Sequence, residues 1–318
     1  MTALHVKYRP NSFDEVVGQD AAVKSLKRVV KDNRAKTFLF TGPAGIGKTS
    51  LARILANSFA KNEATAANIE EIAAADSTGV DAMREIIRHT LHRAIGPSPI
   101  KAVILDEVHR LSGSAFDVLL KPIEEPPAHV YWMLCSTNPG KIPKTIQTRC
   151  LRYDLKAVGE EELLELLVRV IDAEKLEVPD AVVEAVVEEA GGSPRQALVF
   201  LETCAYCTTV SEARAAMRSA AKSREAVDFC RFLLGQRGRT WVEAMKYVKA
   251  LQDTDAEGIR IVVVNYLSTV LADAKGNDKA AGLLALLECF NTPYVSTDKQ
   301  APLLRSIGLA LGLDHNAN

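Results

Sequence analysis

Short apolar runs of strand length punctuate the first half of the chain, and stretches of helical period lie between them. Thr37 to Phe40, Ala102 to Leu105 and Val130 to Ser136 are continuous apolar runs, the pattern of buried strands. Glu70-Glu71-Ile72-Ala73-Ala74 is a weaker strand pattern. Around them, apolar residues recur at helical spacing. Asp20 to Asn33 and Leu111 to Glu124 read as helices, and so does Ser50 to Ala60, with Leu51, Ile54 and Leu55 on one face. Val80 to Ala94 carries Met83, Ile86, Ile87 and Leu91, and Asp76-Ser77-Thr78-Gly79 before it reads as a turn with a helix cap. Ile95-Gly96-Pro97-Ser98-Pro99 stops that helix, because proline supplies no N–H and fixes φ. Apolar strands with intervening helices predict an α/β fold around a mostly parallel sheet.

The pattern changes near Ala157 and stays helical to the end. Glu160 to Ala173, Asp180 to Ala190 and Ser193 to Cys207 form a small three-helix unit, with Gly191-Gly192 between the last two. Thr209 to Lys222 reads as a connector, and further helices follow near Glu225–Leu234, Trp241–Leu251, Glu257–Ala272, Lys279–Phe290 and Gln300–Leu311. The helix from Glu257 is apolar on most sides, so it packs within its own domain or against a neighbour.

A chain of 318 residues with 47% apolar and 25% charged content is a globular protein of several domains. No apolar run approaches the ~20 residues needed to cross a bilayer, and Met1 to Pro10 lacks a signal-peptide core. The expectation is a cytoplasmic protein with no membrane partner, or one of the host cytoplasm if the gene is viral. The net charge of -1 advertises no overall basic field, although one face can still be basic. Six cysteines are scattered, and Cys204-x-x-Cys207 lacks the second pair or histidine that tetrahedral zinc needs, so buried thiols are the expectation.

The candidate chemistry sits at the strand ends. Gly42-Pro43-Ala44-Gly45-Ile46-Gly47-Lys48-Thr49 fits the nucleotide phosphate loop and lies between a strand and a helix beginning near Ser50. Its glycines let backbone N–H groups turn toward phosphate oxygens, and the helix N-terminus adds positive dipole. Lys48 is placed to pair with the β- and γ-phosphates of ATP, and Thr49 to hold Mg²⁺ through its hydroxyl. The strand from Ala102 delivers Asp106 and Glu107 at its C-terminal end, the edge where open α/β sheets bind ligand. Asp106 is placed to bind Mg²⁺ through water, and Glu107 to polarise the attacking water. Asn138, after the strand ending at Ser136, is placed to orient that water or sense the γ-phosphate. Upstream, Tyr8-Arg9-Pro10 opens an irregular segment running through Val17, either a polar loop with apolar anchors or a cover for the adenine base. Arg149 follows a short helix from Pro143 to Thr148, and Arg195 lies near a helix start, where its charge invites an anionic partner or is simply solvated.

Tyr8-Arg9-Pro10, the phosphate loop, Asp106-Glu107-Val108-His109, Glu124-Glu125-Pro126-Pro127 and Thr148-Arg149-Cys150 together resemble the motor subunit of a sliding-clamp loader, a branch of the AAA+ ATPases. The resemblance spans about residues 6–200. It implies an ATPase core over residues 1–156, a helical lid over 157–210 and a helical collar over 211–318. It also implies a five-membered assembly with several copies of this chain, other loader subunits, a ring-shaped clamp and primer–template DNA. Within it, Asn138 matches the first sensor, Arg195 the second sensor on the lid, and Arg149 the arginine that reaches the neighbouring subunit's ATP. Two departures stand out. Thr148 replaces the usual serine, and residues 60–72 hold no cysteine where the bacterial branch carries a four-cysteine zinc module. The helix from Val80 to Ile95-Gly96-Pro97 corresponds to the clamp contact, with core packing as the competing role for Met83, Ile87 and Leu91. Arg84, Arg88, Arg110 and Lys141 are the DNA candidates, against a solvated charged face. A Holliday-junction branch-migration motor, and a regulatory or non-hydrolysing structural AAA+ subunit, are the competing readings. A branch-migration motor normally ends in a winged helix, and a non-hydrolysing subunit has a damaged phosphate loop or acid pair.

Overall fold

The computed structural model describes residues 2–60, 68–74, 79–92, 100–235, 239–251, 256–274, 276–294 and 300–313. The turn at 76–78 and the proline-rich stop at 95–99 lie outside the described residues. The chain divides into two compact units, Met1–Ala213 and Arg214–Asn318.

The first unit begins with a short helix α1 (Leu4–Lys7) and continues through α2 (Asp20–Asp32), β1 (Thr37–Thr41), α3 (Lys48–Phe59), β2 (Ile69–Ala73) and α4 (Val80–Thr90). Then come β3 (Lys101–Asp106), α5 (Gly113–Glu124), β4 (Val130–Ser136), α6 (Lys144–Gln147) and β5 (Leu151–Asp154). The five strands make one sheet in the order β2-β3-β4-β1-β5, and every neighbouring pair is parallel. All of β1 and β4 is buried, which explains why their sequences are continuously apolar rather than alternating.

The pleat still divides those residues between two cores. Phe38, Phe40, Tyr131, Met133 and Cys135 face α2 and α3, where they meet Leu26, Leu51, Leu55 and Phe59. Leu39, Val103, Leu105, Trp132 and Leu134 face the other way, onto Met83, Ile86, Phe116 and Leu119 of α4 and α5. The helix after β1 therefore covers one face and the helix after β3 the other, and crevices at such reversals lie beyond the strand C-termini.

Three helices complete this unit: α7 (Glu160–Glu174), α8 (Asp180–Glu189) and α9 (Pro194–Thr203). They bury Leu163, Leu167 and Val170 with Val182, Val186, Ala197 and Leu201. Ser193 caps α9 by accepting from the backbone N–H of Gln196 at 3.3 Å.

The second unit is helical: α10 (Val210–Leu234) from Arg214 onward, α11 (Trp241–Ala250), α12 (Ala256–Ala272), α13 (Asn277–Cys289) and α14 (Ala301–Ala310). Phe229, Leu233, Val248, Ile259, Val263, Leu267, Phe290, Leu303 and Ile307 form its core. Helix α12 buries Ile259, Val263 and Leu267 and leaves Ile261 45% exposed, so one side of this very apolar helix faces out. The connector expected at 209–222 is instead helical, because α10 is continuous from Val210. An alanine-rich run without glycine or proline offers nothing to break it.

Candidate functional site

A cleft of about 220 Å³ opens above the C-terminal ends of β1 and β3. Its lining includes Tyr8, Arg9, Pro10, Val17, Ala44 to Ser50, Asp106, Glu107 and Arg195. The phosphate loop wraps around the side chain of Lys48, which is 5% exposed and donates to the carbonyls of Gly42 at 3.0 Å and Pro43 at 2.6 Å. Burial lowers the pKa of Lys48, while the nearby Glu107 and Asp106 oppose that shift. Gly42 has φ +140°, and a Cβ there would lie 2.4 Å from the carbonyl oxygen of Leu155. Glycine is therefore required where the loop passes the β5 end. Gly45 has φ +76°, and a Cβ there would lie 2.3 Å from Ser193 Oγ. The same contact brings α9 over the loop, and the Arg195 N–H donates to the Gly45 carbonyl at 3.3 Å.

The hydroxyl of Thr49 donates to Asp106 Oδ2 at 3.0 Å. Burial raises the Asp106 pKa, and this hydrogen bond opposes the rise. These two hard oxygen donors, at the foot of a glycine-lined cradle, suit a magnesium ion. Asp106 Oδ1 also accepts from the backbone N–H of Glu107 at 3.0 Å. Glu107 itself holds a left-handed backbone, φ 52° and ψ 41°, a conformation unusual for a residue with a side chain. This turn ends β3 and aims the carboxylate at the end of β4. There Glu107 Oε2 accepts from the Thr137 hydroxyl at 2.8 Å and lies 3.3 Å from His109 Nδ1.

The expected neighbour of Glu107 is Asn138, whereas in the structure the Thr137 hydroxyl meets that carboxylate. Asn138 is exposed, and its backbone N–H donates to Ser136 Oγ at 3.0 Å. The physical reason is strand alternation: adjacent residues leaving β4 point to opposite sides, and a one-residue offset reverses the direction. A threonine hydroxyl directly after an apolar strand was the available signal.

Arg149 stands outside the cleft, with Nε donating to Glu124 at 2.9 Å and Nη1 to the Thr145 carbonyl at 2.8 Å. Its side chain is 31% exposed, so this ion pair is weak and exchangeable. At the other end of the cleft, the hydroxyl of Tyr8 donates to Glu174, the last residue of α7, and Lys7 pairs with the same carboxylate at 2.5 Å. On α4, Met83 is fully buried and Ile87 packs at the core margin, and Leu91, just past its end, is 64% exposed. Arg84, Arg88, Arg110 and Lys141 are exposed, and Arg84 pairs with Asp81 at 3.1 Å. Among the described residues, no helix is long and apolar enough to cross a membrane.

Together these make an α/β fold with a parallel sheet flanked by helices, consistent with an AAA+ ATPase core. A family described as DNA polymerase III, delta subunit matches residues 62–159. The chain is 36% identical over 219 residues to DNA polymerase III subunit tau of Bacillus subtilis, an alignment covering 63% of this chain and 39% of that protein. It is 35% identical over 221 residues to the gamma/tau subunit of Mycobacterium tuberculosis, covering 63% of this chain and 38% of the relative. Similarity to the gamma subunit of Buchnera aphidicola is 34% over 215 residues, covering 62% of this chain and 59% of the relative. The matched region is thus well under half of the first two proteins. Among solved structures, the Holliday junction branch migration motor RuvB of Thermotoga maritima superposes with a TM-score of 0.56 at 20% identity, over 77% of this chain and 85% of that one. At that identity the likeness describes the fold. Over the matched region the chain is similar in sequence to gamma/tau subunits of DNA polymerase III.

Proposed function

We propose that this chain is an ATP-hydrolysing motor subunit that loads a ring-shaped sliding clamp onto primer–template DNA. The observation that carries this reading is the convergence of Lys48, Thr49, Asp106, Glu107 and Arg195 on one cleft, in a chain whose sequence relatives are gamma/tau subunits. Lys48 and the loop N–H groups bind the phosphates of ATP, and the segment from Tyr8 to Val17 closes over the base. Thr49 and Asp106 would hold Mg²⁺, which when bound supplies charge neutralisation at the phosphate oxygens. Glu107 takes the proton from the attacking water, and Thr137 holds its carboxylate in place for that transfer. Arg195, carried on α9, meets the phosphates from the lid side, so nucleotide occupancy is felt by the three-helix unit.

In this reading residues 1–156 are the core, 157–210 the lid and 211–318 a collar that joins several copies and other loader subunits into a five-membered ring. Arg149 faces the ATP of the next subunit. ATP binding closes the ring into a spiral that opens the clamp, and DNA contact triggers hydrolysis and release. A helical second unit and an intact acid pair favour this over a branch-migration motor or a non-hydrolysing subunit.

Reconstitution tests it. The full chain, its candidate partner subunits, a sliding clamp and primed DNA are mixed, and ATP turnover and clamp retention on closed circular DNA are followed. Turnover stimulated by clamp and DNA together, with clamps left on the circle, is expected. Turnover that ignores both, or no clamp retained, overturns the loading role.

A further inference from the structure

We infer that His109 is a positioning residue for Glu107, steering its carboxylate through a proton held on Nδ1. The inference rests on the reading of Glu107 as the base that activates water. His109 Nδ1 lies between two oxygens, 3.1 Å from Ser136 Oγ and 3.3 Å from Glu107 Oε2. The imidazole is largely covered, with 12% side-chain exposure, so water cannot easily substitute for either contact. Burial also lowers the His109 pKa, with the Glu107 carboxylate opposing that shift. In the neutral ring the choice of tautomer matters.

The surrounding groups decide that tautomer. With its proton on Nε2, the ring would set a bare Nδ1 lone pair against the Glu107 carboxylate. With its proton on Nδ1, it presents a hydrogen to the carboxylate and to Ser136, both able to accept. Ser136 is fully buried at the end of β4, and its Oγ already accepts from the Asn138 N–H. That bond fixes the oxygen against which His109 rests. Glu107 Oε2 is thus held from two sides, by the Thr137 hydroxyl at 2.8 Å and by His109. Holding Oε2 in this way would leave the second oxygen, Oε1, to take the proton of the attacking water.

The test compares His109→Leu with His109→Asn in the full chain assembled with its partner subunits, clamp and primed DNA. Asparagine places an amide N–H close to where Nδ1–H stood, and leucine fills the space without a donor. Steady-state ATP turnover, ATP affinity and thermal melting are measured for each. The role predicts that His109→Leu lowers kcat about ten-fold or more, a share of the roughly 10²–10⁴ that a positioned base contributes. ATP affinity stays at the wild-type value, and His109→Asn restores most of the rate. Equal losses in both variants, accompanied by lower melting temperatures, would reduce His109 to packing and overturn the inference. So would unchanged turnover in His109→Leu.

A second readout is independent of turnover. The ¹⁵N resonances of the His109 ring are expected to report Nδ1–H in the wild type and to shift in Glu107→Gln. An Nε2–H tautomer, or resonances indifferent to Glu107, contradicts the geometry. Wild-type ATP turnover abolished by Lys48→Ala checks the nucleotide-site reading separately. If that turnover is absent while the ring resonances behave as expected, the catalytic reading fails and the contact alone survives.

Discussion

The hydroxyl of Thr49 donates to the carboxylate of Asp106 across 3.0 Å, so the start of the helix after the phosphate loop is tied to the end of β3. The two residues are 57 positions apart, and the parallel sheet brings them together. Only β4 separates β3 from β1, so the β3 end comes within side-chain reach of the loop and helix that follow β1. Everything the cleft does depends on that alignment, and the loop glycines set how closely its walls approach.

Gly42 shows how tightly. A Cβ at Gly42 would lie 2.4 Å from the Leu155 carbonyl at a φ that side chains rarely adopt. Gly42→Ala is expected to destabilise the first unit by more than the ~1–3 kcal/mol of a strained backbone alone. Gly113, at the start of α5, has open space around it and no positive φ. Gly113→Ala should therefore be neutral or stabilising by up to about 1 kcal/mol. Denaturant melts of the two variants measure the contrast, and equal stabilities would contradict it.

Helix α4 separates packing from partner contact. Met83 is fully buried among Val103, Leu105 and Phe116, whereas Leu91 is 64% exposed. Met83→Ala is expected to cost about 2–5 kcal/mol. Leu91→Glu should leave the melting temperature nearly unchanged and weaken clamp binding in a pull-down with the purified clamp. Full clamp binding by Leu91→Glu would remove this residue from the contact.

In the helical unit, Glu257 is held by Arg260 at 2.6 Å and by the Tyr294 N–H at 2.7 Å, which lowers its pKa from 4.5 to about 2. The folded form thus binds fewer protons than the unfolded one between those values, and stability rises with pH across that window. The contribution is complete above about pH 4.5 and is lost as pH falls through about 2. Glu257→Gln should be less stable than wild type at pH 6, with the gap closing toward pH 2. A gap independent of pH in circular-dichroism melts would contradict the pairing.

Much of this was legible in the sequence, because β1, β3 and β4 are continuously apolar and glycine, lysine and paired acids punctuate their ends. Strand β5 was not, since Leu151 and Arg152 are exposed and only Tyr153 of its four residues is buried. An edge strand with one inward side chain has no periodicity to read. Nor could spacing alone show that Thr137 rather than Asn138 meets Glu107, or that His109 lies beside both Ser136 and Glu107. Those contacts depend on the left-handed turn at Glu107, which no sequence pattern announces.

Arg149 tests the assembly. Its present partners, Glu124 and the Thr145 carbonyl, form an exposed pair that a phosphate can displace. Arg149→Ala should leave ATP binding by the isolated chain intact and lower hydrolysis in the assembled, DNA-stimulated complex by about 10³–10⁵. Mixing Arg149→Ala chains with Lys48→Ala chains should restore part of the activity, because some interfaces then pair an intact arginine with an intact phosphate loop. Full DNA-stimulated turnover by Arg149→Ala alone would rule out the trans contact.

The central claim is that this cleft hydrolyses ATP with Glu107 as base, and Glu107→Gln tests it most directly. The substitution keeps the shape of the side chain and its contact with Thr137, and removes the proton acceptor. ATP affinity and single-turnover hydrolysis are measured on the same preparation. The account predicts wild-type affinity with hydrolysis reduced by about 10²–10⁴. Hydrolysis at the wild-type rate would contradict it.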